Sequence, residues 1–96
     1  MEEVTANLEI EFALLPSLGQ RRDGYRPNHK HPLTGEHFLG QVTFEHGFVD
    51  AGTTANGSVR LLMLARDYDS LIRFGCWSVW EGATHVGLIK VLSSGR

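Results

Sequence analysis

The chain has 96 residues, of which 42% are hydrophobic and 9% aromatic, and its formal net charge is −2. This length suits one domain and is too short for two independent hydrophobic cores. The aromatic content argues against a disordered chain. The charge lacks the basic excess that is typical of dedicated nucleic-acid-binding domains.

The single cysteine, Cys76, cannot form an internal disulfide, which favours a reducing compartment. Its neighbours Phe74 and Trp77 are apolar and predict a buried thiol. No signal peptide is predicted in the first thirty residues, and no apolar run approaches the roughly 20 residues that cross a bilayer. We therefore expect a cytoplasmic protein, with frayed ends at residues 1–5 and 93–96.

The first predicted element is a strand over residues 6–15. Apolar side chains alternate there with polar ones, and the apolar set is Ala6, Leu8, Ile10, Phe12 and Leu14. This alternation is the period of a half-buried strand. Pro16 lacks a backbone donor and ends the run, and a polar loop is predicted over residues 17–24.

Residues 25–31 are expected to be extended, because Pro27 and Pro32 disfavour helical angles in the residues before them. After a turn at residues 34–36, a second alternating strand is predicted over residues 38–46. One face of it carries Phe38, Val42, Phe44 and His46, and the other carries Leu39, Gln41, Thr43 and Glu45. Residues 47–57 are predicted to form a loop.

The strand predicted over residues 59–66 is apolar on both faces, where Val59, Leu61, Met63 and Ala65 alternate with Leu62 and Leu64. Both faces should therefore be covered, by the chain itself or by a partner. An acidic turn at residues 67–70 leads to strands over 73–80 and 84–92, which a glycine-containing connection joins as a hairpin. With no helical periodicity over ten residues or more, the sequence predicts an all-β barrel or sandwich of six short strands.

Two segments carry a resemblance to a known domain: Gly24-Tyr25-Arg26-Pro27, and residues 79–87, which read Val-Trp-Glu-Gly-Ala-Thr-His-Val-Gly. They follow a first strand and a loop with Gly19, Arg21 and Arg22, and in this order they resemble the third, C-terminal domain of elongation factor Tu. Arg73-Phe74, Glu81-Gly82 and Val86-Gly87 also match that family, whereas His85 stands where the family usually has threonine. The resemblance covers roughly residues 6–92.

The resemblance implies a six-stranded antiparallel β-barrel that forms one domain over residues 1–96. In the family this domain is a binding module that contacts the factor's GTPase domain and the T-stem of aminoacyl-tRNA. No Gly-x-x-x-x-Gly-Lys-Ser/Thr loop is present, so no GTP binding is expected. His29-Lys30-His31 replaces an aromatic-rich strand of the family, so this chain departs from it near the partner surface.

Arg21, Arg22, Arg26 and Lys30, together with Tyr25, are candidates for an RNA- or partner-binding surface. Basic side chains close together suit phosphate groups, and the family's tRNA-facing residues include part of this region. The alternative is an ordinary solvated loop beside Asp23, with Gly24-Tyr25-Arg26-Pro27 serving mainly to shape the chain.

His29, His31 and His37 are a weak candidate for a metal site, since zinc takes three or four ligands. Exposed histidines are the expected interpretation, and the sequence predicts no cofactor. No nucleophile, base and acid stand together, and Glu9 and Glu11 resemble ordinary solvent-facing carboxylates. We therefore do not expect an enzyme.

Leu62, Leu64 and Trp77 are candidates for an apolar surface that binds a protein partner, because a small barrel fills its interior with only one face of each strand. Cover by long loops is the alternative. The leading hypothesis is a non-enzymatic module that engages a protein partner, in one version as an immunity or antitoxin protein. The alternatives are a module that contacts RNA or tRNA, and a structural homo-oligomer.

Overall fold

The structure is a computed structural model that describes residues 2–16 and 19–94. Its elements in chain order are β1 (Glu3–Leu14), β2 (Arg21–Arg22), β3 (Asn28–Lys30), β4 (His37–Phe44), β5 (Phe48–Val49), β6 (Thr54–Leu64), α1 (Ala65–Phe74), β7 (Cys76–Glu81) and β8 (Thr84–Ser94).

Six of the strands close into a barrel in the order β1-β6-β4-β3-β7-β8, with β8 pairing back onto β1. Every pair in the barrel is antiparallel. The short strands β2 and β5 pair with each other in a separate two-stranded sheet. The prediction of an all-β, six-stranded antiparallel barrel is confirmed. Closure gives β1 and β8 a hydrogen-bonded neighbour on both sides, which removes the edges of the sheet.

Alternating apolar residues of the strands fill the barrel interior. The five apolar side chains predicted on one face of β1 are all buried, at no more than 3% exposure. Val59, Leu61 and Met63 of β6 are buried opposite them, and Phe12 and Phe44 meet edge to face with ring centroids 5.6 Å apart. The period-two pattern therefore predicted the inward face correctly.

Several strands are longer than the sequence predicts. Residues 3–5 were expected to fray, but Thr5 pairs with Leu62, and β8 continues through Ser94. Glu2 lies before β1, and the remaining frayed-end positions, residues 1, 95 and 96, lie outside the described residues. The predicted loop 47–57 contains β5 and the first four residues of β6, from Thr54. Pairing with the long strand β1 outweighs the low strand propensity of this Asn- and Gly-containing segment.

Helix α1 takes the place of the predicted acidic turn at residues 67–70, so that prediction is wrong. The helix also includes the first two residues of the strand predicted over 73–80, which instead begins at Cys76 as β7. Tyr68 and Leu71, three positions apart, are buried against the barrel. Asp67 in the first turn and Arg73 in the last suit the helix dipole. Gly75 ends the helix at φ 85°, with its N–H donating to Leu71 O at 2.9 Å. The helix is too short for its apolar spacing to stand out in the sequence.

Candidate binding surface

The two segments that carry the sequence resemblance meet in space, although Tyr25 and Glu81 are 56 positions apart. The Tyr25 hydroxyl donates to the Glu81 carboxylate. Arg21 binds the same carboxylate with two nitrogens, Nε at 2.8 Å and Nη2 at 2.9 Å, and its guanidinium lies 5.6 Å from the Tyr25 ring centroid. This network ties the loop before Tyr25 to the β7–β8 hairpin.

Within this network, Arg21 and Tyr25 are both bonded to the Glu81 carboxylate. The hydrogen bonds from Arg21 hold the pKa of the Glu81 carboxyl below its ordinary value. Burial, followed by the contact with Glu81, raises the pKa of the Tyr25 hydroxyl. A bidentate arginine–carboxylate pair of this kind is largely neutral as a unit, so Arg21 offers little free charge to a ligand.

The other three predicted basic residues lie in different settings. Arg22 is exposed in β2, opposite Phe48. Lys30 is half-buried on β3, with Nζ 5.4 Å from the ring centroid of Trp80, which itself stacks on His85. Arg26 is exposed, and its Nη2 lies 3.4 Å from Gln41 Oε1. Of the five candidate residues, Arg22 and Arg26 are the two basic ones that remain exposed.

His29 lies inside the barrel at 0% exposure, so the expectation of an exposed histidine is wrong. Trp77 Nε1–H donates to Nδ1 of His29 at 3.0 Å, and Nε2 lies 3.1 Å from Gly40 O. Because Nδ1 accepts, we assign the proton to Nε2, which donates to the carbonyl of a neutral ring. Burial lowers the pKa of His29 to about 4. The interior position supplies both hydrogen bonds that the ring needs.

His31 is also buried, at 2% exposure, and joins a turn to helix α1. Its Nδ1 accepts from the backbone N–H of Leu33 at 3.1 Å, and its Nε2 lies 3.0 Å from Asp67 O and 2.9 Å from Ser70 Oγ. His37 is exposed on the outer surface. Within the described part of the chain, no group of three or more His, Cys, Asp and Glu side chains is placed to hold a metal ion.

Two further predictions about residue positions are wrong. Trp77 is 2% exposed and points into the barrel, so it cannot share a partner surface with Leu62. Cys76, predicted to be buried, is exposed on β7. The reason is register, since successive residues of a strand point to opposite faces and Trp77 occupies the inward position. Leu64, at the end of β6, is half-buried.

A groove of about 540 Å³ runs along the outer surface of the barrel over β4 and β6. Leu39 of β4 and Leu62 of β6 are paired across the two strands and are 69% and 40% exposed. Two residues further along β4, Gln41 is paired with Arg60. Arg26 lies in the segment before β3, beside the edge of β4 that faces away from β6, and contacts Gln41 from there. We call this surface the Leu39–Leu62 groove. It contains a row of two leucines, Leu39 and Leu62, beside a second row formed by Arg26, Gln41 and Arg60.

The sequence predicted part of this groove. Leu62 and Arg26 were candidates, in separate hypotheses, and the fold brings both to one surface. Leu39 and Arg60 were missed. An available signal was the position of Leu39, an aliphatic residue on the otherwise polar face of its alternating strand. Arg60 gave no such signal, because only the pairing of β6 with β4 places it beside Gln41.

Comparisons with known proteins assign no family to this chain. No model of a known protein family matches it, and no curated protein sequence does. Within residues 2–16 and 19–94, the structure contains no helix with the length and apolar character that a membrane span requires.

Proposed function

We propose that this protein is a non-enzymatic binding module that engages a protein partner through the Leu39–Leu62 groove. The observation that supports the proposal is the pair of leucines, which face solvent side by side on neighbouring strands. Adjacent exposed aliphatic side chains are unfavourable in water, and covering them releases about 25 cal/mol per Å² of apolar area. The polar row beside the leucines supplies the rim that protein interfaces usually have.

In this proposal the chain is an orphan cytoplasmic barrel similar to the third domain of elongation factor Tu, without GTP binding or catalysis. A closed barrel is a rigid support on which a small surface can be displayed. An immunity or antitoxin protein is one concrete version, in which the groove would cover a surface of the toxin. A module that contacts tRNA is the alternative, but pairing of Arg21 with Glu81 removes one of its expected phosphate contacts.

Affinity capture from a lysate of the source cell tests the proposal with three forms of the protein. The groove variant is Leu39→Asp/Leu62→Asp, and its matched control is Leu33→Asp/Leu88→Asp, which alters leucines of 63% and 50% exposure outside the groove. We expect the wild type and the control to retain the same partner and the groove variant to lose it. Retention of that partner by all three forms, each folded by circular dichroism, would overturn the proposal.

Light scattering tests the homo-oligomer alternative on the same variants. A mass of 10.7 kDa at all concentrations is expected for a module that binds a different protein. A larger mass that returns to this value in the groove variant would show that a second copy of the chain occupies the groove.

A further inference from the structure

We infer that the Leu39–Leu62 groove takes an acidic, extended segment of its protein partner, with an aliphatic side chain over the two leucines and carboxylates on Arg26 and Arg60. This inference rests on the proposed function and names the chemistry of the partner.

The charge of the groove is opposite to that of the whole protein. The chain carries 11 acidic and 9 basic residues. Among the described residues that line the groove there are two arginines, Arg26 and Arg60, the exposed His37, and no aspartate or glutamate. This concentration of one sign on a small surface attracts the opposite sign in a ligand.

Neither groove arginine is neutralised within the described chain. The salt bridges there join Arg21 to Glu81 and Arg66 to Asp67. The hydrogen bond of Arg26 goes to the neutral amide of Gln41, at 3.4 Å, which keeps the side chain over the groove without cancelling its charge. Guanidinium groups that are held in this way bind carboxylates with two parallel hydrogen bonds.

The spacing of the two rows fits an extended peptide. The leucine row and the arginine row are two residues apart along β4 and β6, because Leu39 pairs with Leu62 and Gln41 with Arg60. Residues two apart in an extended chain are separated by about 6.6 Å and point the same way. A peptide that lies along these strands therefore places an aliphatic side chain at one position and a carboxylate two positions away.

The groove suits a peptide better than RNA. A phosphate backbone has no apolar group to place over Leu39 and Leu62. Protein surfaces that bind single-stranded RNA add free aromatic rings on which bases stack. The one phenyl ring among the described lining residues, Phe38, stacks on the buried His29 with centroids 5.3 Å apart.

Fluorescence anisotropy with synthetic probes tests the inference directly. The main probe, the glutamate–leucine peptide, is a labelled peptide of about ten residues that repeats Leu-Ser-Glu-Ser, so that leucine and glutamate lie two positions apart on one face. It is long enough to cross the groove at about 3.3 Å per residue. In the comparison probes either lysine replaces glutamate, which gives the lysine–leucine peptide, or serine replaces leucine. A single-stranded RNA of equal charge completes the set. We expect only the glutamate–leucine peptide to bind, with an affinity that falls as salt rises and amide shifts in NMR spectra at residues 37–41 and 60–62.

Charge reversal in the groove provides the matched control. Arg26→Glu/Arg60→Glu should weaken binding of the glutamate–leucine peptide by at least about tenfold. Arg22→Glu/Arg73→Glu changes the net charge equally at exposed residues outside the groove and should leave the affinity within about twofold. Three outcomes would overturn the inference: no binding of this peptide, equal binding of the lysine–leucine peptide, or RNA binding that Arg26→Glu/Arg60→Glu weakens.

The capture experiment separates this inference from the proposed function. Suppose that Leu39→Asp/Leu62→Asp loses the partner but Arg26→Glu/Arg60→Glu retains it. The groove then binds a protein, as proposed, but the bound segment is not acidic, and only the inference fails. If Leu39→Asp/Leu62→Asp retains the partner, the proposed function fails together with the inference.

Discussion

Two buried polar residues, His29 and Trp77, hold together the part of the barrel beneath the groove. The tryptophan donates to the histidine, and the histidine donates to Gly40 O, which lies on the strand that carries Leu39. Buried polar groups cost little only when each has its partner. The link therefore fixes the register of β3, β4 and β7 at their meeting point.

Removal of the tryptophan donor tests this link. Trp77→Phe leaves His29 Nδ1 without its partner and opens a space in the core, so we expect a loss of about 2–4 kcal/mol in the free energy of unfolding. Trp80→Phe is the control, because Trp80 is half-buried and donates to Ser78 nearer the surface. Urea unfolding followed by circular dichroism measures both. Equal losses in the two variants would contradict a special role of the buried pair.

Stability should fall in mild acid because of His29. Its folded pKa of about 4 lies below its ordinary value of 6.5, so the unfolded chain binds more protons between these values. The contribution of the neutral ring is fully present above 6.5 and is lost as pH falls towards 4. We expect a loss of about 2 kcal/mol between pH 7 and pH 5.

Two measurements check the acid effect. Urea unfolding at the two pH values gives the loss, which should persist in His37→Gln because His37 is exposed. NMR titration of the ring protons should show His29 still neutral at about pH 5.5. A His29 midpoint near the ordinary value would mean that the ring is not held neutral by burial.

In strand β6, Gly57 allows the backbone of the neighbouring strand β4 to approach closely. A Cβ at Gly57 would lie 2.2 Å from Thr43 O and 3.1 Å from Phe44 Cα, both backbone atoms of β4. Strand glycines often mark such close approaches. The missing side chain at Gly57 therefore lets this part of the predicted loop pair closely with β4.

Substitution of this glycine should be costly. Gly57→Ala forces the backbones of β6 and β4 apart, and we expect it to destabilise the fold by about 2–4 kcal/mol. The neighbouring Ser58→Ala, at an exposed position, should change stability by less than about 0.5 kcal/mol. Thermal and urea unfolding compare the two variants. A Gly57→Ala protein as stable as Ser58→Ala would rule out the tight approach.

The strands and the helix differ in how well the sequence predicts them. In β1, five inward residues alternate without interruption, so local pattern and tertiary burial agree. In α1, Asp67 and Ser70 look like turn residues, and the helix is stabilised by packing of Tyr68 and Leu71 and by contacts of His31 with Asp67 and Ser70. Those contacts come from residues distant in sequence, so no local pattern indicates them.

For the whole molecule, closure of β8 onto β1 should set the pattern of local stability. Amides of β1 and β8 are paired within a closed sheet, so they should exchange with solvent only on global unfolding. The β2–β5 pair, outside the barrel, should exchange faster. Native-state hydrogen exchange measured by NMR separates these cases. Exchange of β1 or β8 as fast as that of β2 would show that the barrel opens at this seam.

The sequence by itself determined the fold class and the inward face of the long strands, because alternation with period two is a local property that survives into the folded state. It also indicated Arg26 and Leu62 as surface candidates. Tertiary structure alone decided that these two residues share one groove with Leu39 and Arg60, and that His29 and Trp77 are partners in the interior. The physical reason is strand register, which depends on pairing between distant segments and fixes which side chains meet.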